Sequence, residues 1–111
     1  MTKKEKYRKK REKFQDNRHE YIRILLTKNN SVSQCHYCKR INLLTNPKKK
    51  VIEENPFNIL TIDHKIPLSK GGHNTLKNML LSCQYCNTLK DNMLYEDFIH
   101  KMKTTIQLVD Y

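Results

Sequence analysis

Along this chain, long polar stretches alternate with short apolar runs. Over residues 1–30 the apolar positions are sparse but regular. Tyr7, Phe14 and Tyr21 recur every seven residues, and Ile22, Leu25 and Leu26 extend the same stripe. That spacing predicts an amphipathic helix, because it returns to one side of a 3.6-residue turn. Its first turns are so charged that they are expected to fray in isolation. Residues 42–58 lose the period. Asn46-Pro47, the run Lys48, Lys49, Lys50 and Asn55-Pro56 are loop signals, with a short strand expected at 51–52. Residues 57–66 carry Ile59, Leu60 and Ile62 and predict a strand that Pro67 closes. A loop at 69–75 surrounds Gly71 and Gly72, where positive φ has no steric cost. Met79, Leu80 and Leu81 form the returning strand of a long-looped hairpin. A helix is expected from the second cysteine pair through Asn87 and Lys90. Leu94, Phe98, Met102, Ile106 and Val109 then recur at three-to-four-residue spacing and predict a closing, core-packing helix. The fold class is α+β.

Composition changes the picture in two ways. A chain of 111 residues with a hydrophobic fraction of 37% and no Trp is one small domain with a thin core, for which a structural metal is a natural supplement. The balance of 22 Lys+Arg against 11 acidic residues leaves a formal net charge of +11, the sign that suits a polyanion. Eleven of the first thirty residues are Lys or Arg. Contact with a nucleic-acid backbone explains that density better than a solvated helix face does, and a nuclear-localisation run is a further alternative. No run approaches the ~20 apolar residues that span a bilayer. The wealth of Lys, Asn and Ile hints at an AT-rich genome, hence a phage, virus or organelle.

The cysteines are more specific. All four occur as two CxxC pairs, Cys35/Cys38 and Cys83/Cys86. The N-terminus has no apolar signal region, so a reducing intracellular compartment is expected. There, two CxxC pairs indicate Zn²⁺ ligands, with thiol redox chemistry as the alternative. The gap between the pairs must accommodate other functional elements. His36, between the first two cysteines, is not needed by a site that four thiolates fill, and is expected at the surface.

Within 61–90 stand Asp63, His64, Pro67, Gly71, Gly72, Asn78, then Cys83, Cys86, Asn87 and Lys90. In this combination the chain resembles the HNH endonuclease family over roughly residues 33–98, with Asn87 in place of the last histidine. The resemblance implies a small ββα-metal fold stapled by a four-cysteine zinc site, with flanking N- and C-terminal helices. Residues 1–30 would be a basic helical extension and 31–111 the nuclease domain. It also implies a metal-dependent DNA endonuclease, nicking or of low sequence specificity.

The residue types fit that chemistry. Imidazole titrates near working pH, which suits His64 to the general-base role that the resemblance implies. Asp63 and Asn87 offer hard oxygen ligands of the kind Mg²⁺ or Mn²⁺ prefers. Asn78 is implied to hold the loop, and through it the base, by hydrogen bonds. Lys65, Lys70, Lys77 and Lys90 flank the motif as phosphate contacts, with His73 as an auxiliary DNA contact. His19 and His100 carry no motif. Adjacent strand residues point to opposite faces, so Asp63 and His64 should diverge unless the strand bends. The partner is DNA, met mainly through phosphates by a monomer or weak dimer. Taken singly, Asp63, His64 and Asn78 are ordinary cap, core and turn residues. Their joint spacing favours the site. A non-catalytic zinc module that binds nucleic acid explains the cysteines and the charge but not Asp63, His64 and Asn87. A zinc-stapled interaction protein leaves the charge unexplained as well.

Overall fold

The computed structural model describes residues 1–45 and 55–109, the last five as backbone. The strand expected at 51–52, the lysine run before it and the side chains of Ile106 and Val109 lie outside the described residues. Among the described residues, three α-helices and one hairpin form the fold: α1 (Lys3–Lys28), β1 (Leu60–His64), β2 (Met79–Cys83), α2 (Gln84–Lys90) and α3 (Tyr95–Val109).

Helix α1 starts where Thr2 caps it, its hydroxyl accepting from the Glu5 amide at 3.1 Å. It ends in two consecutive left-handed residues, Asn30 (φ 56°) and Ser31 (φ 62°), which turn the chain back toward the first cysteine pair. Its apolar stripe does not stop at a domain boundary. Ile22 and Leu25 are buried in the same core as Leu60, Ile62, Leu80 and Phe98, with Phe14 and Tyr21 packed against it. The C-terminal half of α1 therefore contributes to that core.

The hairpin pairs β1 and β2 antiparallel, with Leu60 opposite Cys83 and His64 opposite Met79. An isolated two-stranded hairpin is marginal in water. Here α1 packs on β2 and α2 packs on β1, and every residue of the two strands except His64 is buried. The first strand is shorter than its apolar run predicts. Pro56–Asn58 forms a 3₁₀ turn, because proline there favours a helical φ and supplies no ladder donor. Leu44 joins β1 by a parallel bridge to Ile59. In α3 the expected stripe is realised by Phe98, 1% exposed, and by Met102. Leu94 precedes the helix and is exposed.

The long hairpin loop depends on Gly72. A side chain there would come within 1.9 Å of the Ile66 carbonyl oxygen, so the loop closes only with glycine at that position. Gly71 adopts φ +91°, the left-handed region that glycine tolerates best.

Candidate active site and metal centre

Two tight turns bring the cysteines together. In the first, the Cys35 amide donates to the Arg40 carbonyl at 2.9 Å and the Lys39 amide to the Cys35 carbonyl at 3.0 Å. In the second, Cys83 caps α2, its sulfur accepting from the Cys86 amide at 3.3 Å. The His36 amide donates to the Leu81 carbonyl at 2.8 Å, which ties the first turn to β2. All four sulfurs lie within 4.8 Å of one another, and Cys38 Sγ is 3.9 Å from Cys83 Sγ. A tetrahedral site with Zn–S bonds of about 2.3 Å needs sulfurs about 3.8 Å apart, so the cluster fits zinc. Burial, and then the neighbouring sulfurs, push the Cys86 thiol far above its ordinary range. Sulfurs packed this closely ionise together only around a cation. His36 stays exposed, bonded to the Tyr95 hydroxyl at 2.8 Å and outside the sulfur cluster, as expected.

Asp63 and His64 end β1 and diverge. Asp63 turns inward and is 3% exposed. Tyr37 donates its hydroxyl to Asp63 Oδ2, and the Lys90 ammonium lies 3.1 Å from Oδ1. His64 turns toward α1, where the Phe14 ring meets it edge-on at 4.7 Å. Its Nε2 lies 3.0 Å from Asn74 Oδ1, while Asn74 Nδ2 donates to the Lys10 carbonyl at 2.9 Å. The second bond fixes which end of the Asn74 amide faces the histidine. Since Oδ1 can only accept, Nε2 carries the hydrogen and the free lone pair of the neutral ring is on Nδ1. Burial holds His64 below the ordinary histidine pKa, against the Asn74 hydrogen bond and the Asp63 charge that act the other way.

Asn87, on α2, donates through Nδ2 to Thr61 Oγ1 at 3.1 Å and to the Ile62 carbonyl at 3.2 Å. Among the described residues its Oδ1 takes no hydrogen-bond partner. Asn78 braces the loop: Oδ1 accepts from the Ile66 amide at 2.8 Å, and Nδ2 donates to the carbonyls of Ile66 and His73, each at 3.0 Å. It does not touch His64, which Asn74 holds instead.

Asp63, His64 and Asn87 line one cavity of about 560 Å³, whose opposite wall is α1 with Tyr7, Arg11, Phe14 and Gln15. The model for HNH endonuclease matches residues 35–93, more than half of the chain. The chain belongs to the HNH endonuclease family. No curated protein matches it. The HNH motif thus has its acid, imidazole and amide on one cavity and its two cysteine pairs on one cluster.

One assignment needs correction. Lys90 is not a phosphate contact: its side chain is fully buried, paired with Asp63 and donating to the His64 carbonyl at 2.8 Å. Three residues after Asn87 it lies one helical turn along the same face, directed at the site rather than at solvent. Of the other flanking cations, Lys70 is exposed on the loop, and Lys77 and His73 are exposed but do not line the cavity. Lys65 lies over the Tyr95 ring at 5.7 Å. Sequence reasoning missed Tyr37, Asn74, Phe14 and Arg11. Tyr37 carried a usable signal, since a tyrosine enclosed by a metal turn needs a partner for its hydroxyl. Asn74 carried none. Among the described residues no helix is long and apolar enough to cross a membrane.

Proposed function

We propose that this HNH protein is a divalent-metal-dependent endonuclease that hydrolyses DNA phosphodiester bonds, nicking one strand at a time with little sequence preference. The observation that carries the reading is the cavity shared by Asp63, His64 and Asn87 beneath α1. His64, neutral and bonded through Nε2, presents Nδ1 as general base and takes the proton of the attacking water. Asn74 keeps that tautomer, and Phe14 limits the tilt of the ring.

Asp63 and the free Oδ1 of Asn87 are the hard ligands for Mg²⁺ or Mn²⁺. Each Asp63 oxygen has a lone pair beyond those that Tyr37 and Lys90 occupy. When bound, such an ion supplies charge neutralisation at the scissile phosphate and the leaving 3′ oxygen. Arg11, on the opposite wall, offers a guanidinium to the phosphate. Lys3, Lys6, Lys10 and Lys70 line an adjoining groove that shares Tyr7, Leu68 and Ser69 with the cavity, a path for the DNA backbone. Zn²⁺ on the four cysteines is structural.

The test is nicking of supercoiled plasmid with Mg²⁺ or Mn²⁺ against an EDTA control. General-base catalysis is typically worth ~10²–10⁴-fold. Zinc-loaded His64→Ala should lose cleavage by about that factor while still binding DNA. Asn87→Asp, which keeps an oxygen ligand, should retain more activity than Asn87→Ala. Near-wild-type cleavage by zinc-loaded His64→Ala would overturn the assignment.

A further inference from the structure

Tyr37 belongs to the zinc turn by sequence but reaches the nuclease site by its side chain. It stands between Cys35 and Cys38, is buried, and its ring meets Phe98 edge-on at 4.8 Å. Its hydroxyl ends on Asp63 Oδ2. Lys90, on the helix that Cys83 caps, reaches the other oxygen of the same carboxylate. We propose that Tyr37 is a positioning residue for the divalent-ion site, coupling the zinc turn to Asp63. The proposal rests on the nuclease reading above and adds a residue that the HNH motif does not contain.

The physical argument is one of competition. Two cations have a claim on one buried carboxylate: the Lys90 ammonium, 3.1 Å from Oδ1, and the ion that Asp63 would hold. An unrestrained carboxylate turns about its last torsion, which is broad and roughly two-fold, and Lys90 could then take both oxygens. The Tyr37 hydroxyl prevents this. By donating to Oδ2 it confines Lys90 to Oδ1 and fixes the plane of the carboxylate against the cavity. The hydroxyl is itself fixed, because the turn that carries it is closed by the two sulfurs and by the His36 amide on Leu81. Outer partners that orient a metal ligand typically contribute ~10–100-fold to metal affinity.

The substitution Tyr37→Phe removes one oxygen and keeps the ring against Phe98. Mn²⁺ is titrated into the zinc-loaded full chain without DNA, and free Mn²⁺ is followed by electron paramagnetic resonance. Zinc content and melting midpoint should stay close to wild type, while Mn²⁺ affinity falls about ten- to hundred-fold. Cleavage should be largely restored at saturating Mn²⁺, because the base is untouched. Unchanged Mn²⁺ affinity would overturn the proposal.

A second measurement uses wild-type protein, in case Tyr37→Phe fails to take up zinc. The buried hydroxyl proton of Tyr37 should give a separate downfield proton resonance that moves saturably as Mg²⁺ is added. A resonance that Mg²⁺ leaves in place also overturns the proposal. Wild-type protein that binds Mn²⁺ and nicks DNA, with Tyr37→Phe indistinguishable from it, defeats this proposal alone. Wild-type protein that neither binds Mn²⁺ nor cleaves defeats the nuclease reading and this inference with it.

Discussion

At the scale of single residues, the site is organised around buried charge. Asp63 and Lys90 are paired with side-chain exposures of 4% and 0%, where water cannot solvate either group alone. Removing one partner of such a pair typically costs ~3–5 kcal/mol, because the other charge is left uncompensated. Lys90→Met should therefore lower the unfolding free energy by about that amount in urea titrations, with little direct effect on DNA affinity. Adding Asp63→Asn in the same chain should recover most of the loss. A solvent-facing phosphate contact would show the reverse: weaker DNA binding at unchanged stability. Asn74→Ala tests the half-buried contact to His64. It frees Nε2 of His64 and should reduce nicking without changing Mn²⁺ affinity, separating the base from the metal ligands. Much of this scale was legible in the sequence. Asp63, His64, Asn87 and the cysteines announced themselves by residue type and spacing. Tyr37 gave only a hint, Asn74 gave none, and Lys90 stood in the motif without the role it has, because these roles depend on which atoms the fold brings into hydrogen-bond reach.

At the scale of elements, α1 does two jobs along its length. Its C-terminal half is core, with Ile22 5% and Leu25 8% exposed. Its N-terminal half is tied to the hairpin loop from both sides: Lys10 Nζ donates to the Gly72 carbonyl at 2.8 Å, and the Lys10 carbonyl accepts from Asn74. The seven-residue repeat of aromatics showed that a helix was present. It could not show that the helix would close one wall of a cavity, since repeat spacing reports a face and not its partner. Deleting residues 1–13 removes the lysine-lined groove and the Lys10 tether but leaves Phe14, Ile22 and Leu25 in place. The truncated protein should keep a cooperative melt and bound zinc. It should bind DNA more weakly at every sequence, with a shallower slope of log K against log salt. An unchanged slope would return this segment to an ordinary solvated surface. Deleting residues 1–28 strips core residues from one side of β2 and should abolish cooperative unfolding. The two truncations together locate the boundary between binding and folding within one helix.

At the scale of the whole molecule, the cysteine cluster is built into the core. The hairpin has only two strands, and its long connection adds Leu76 to the packing around the core. The turns that close at Cys35 and Cys83 join the segment before the hairpin to β2 and α2. Both cysteines are 0% exposed and belong to the same core as Leu60 and Phe98, so the metal centre and the apolar core are one object. Structural Zn²⁺ typically supplies ~10–16 kcal/mol in small zinc-finger peptides. A domain's net stability is only ~5–15 kcal/mol. The metal term is as large as the whole, which means that removing it should unfold the chain rather than soften it. Cys38→Ser and Cys83→Ser should each lose the cooperative melting transition as well as cleavage, and wild-type protein should carry one tightly held zinc by elemental analysis. A chelator strong enough to take that zinc should abolish the melt of the wild type. EDTA removed after a brief exposure that spares the zinc should stop nicking reversibly, with Mn²⁺ restoring it. The two metals are thereby told apart by what each removal does: one loses the fold, the other only the reaction. A Cys83→Ser protein without zinc that melts like wild type would show that the apolar core is sufficient without the cluster.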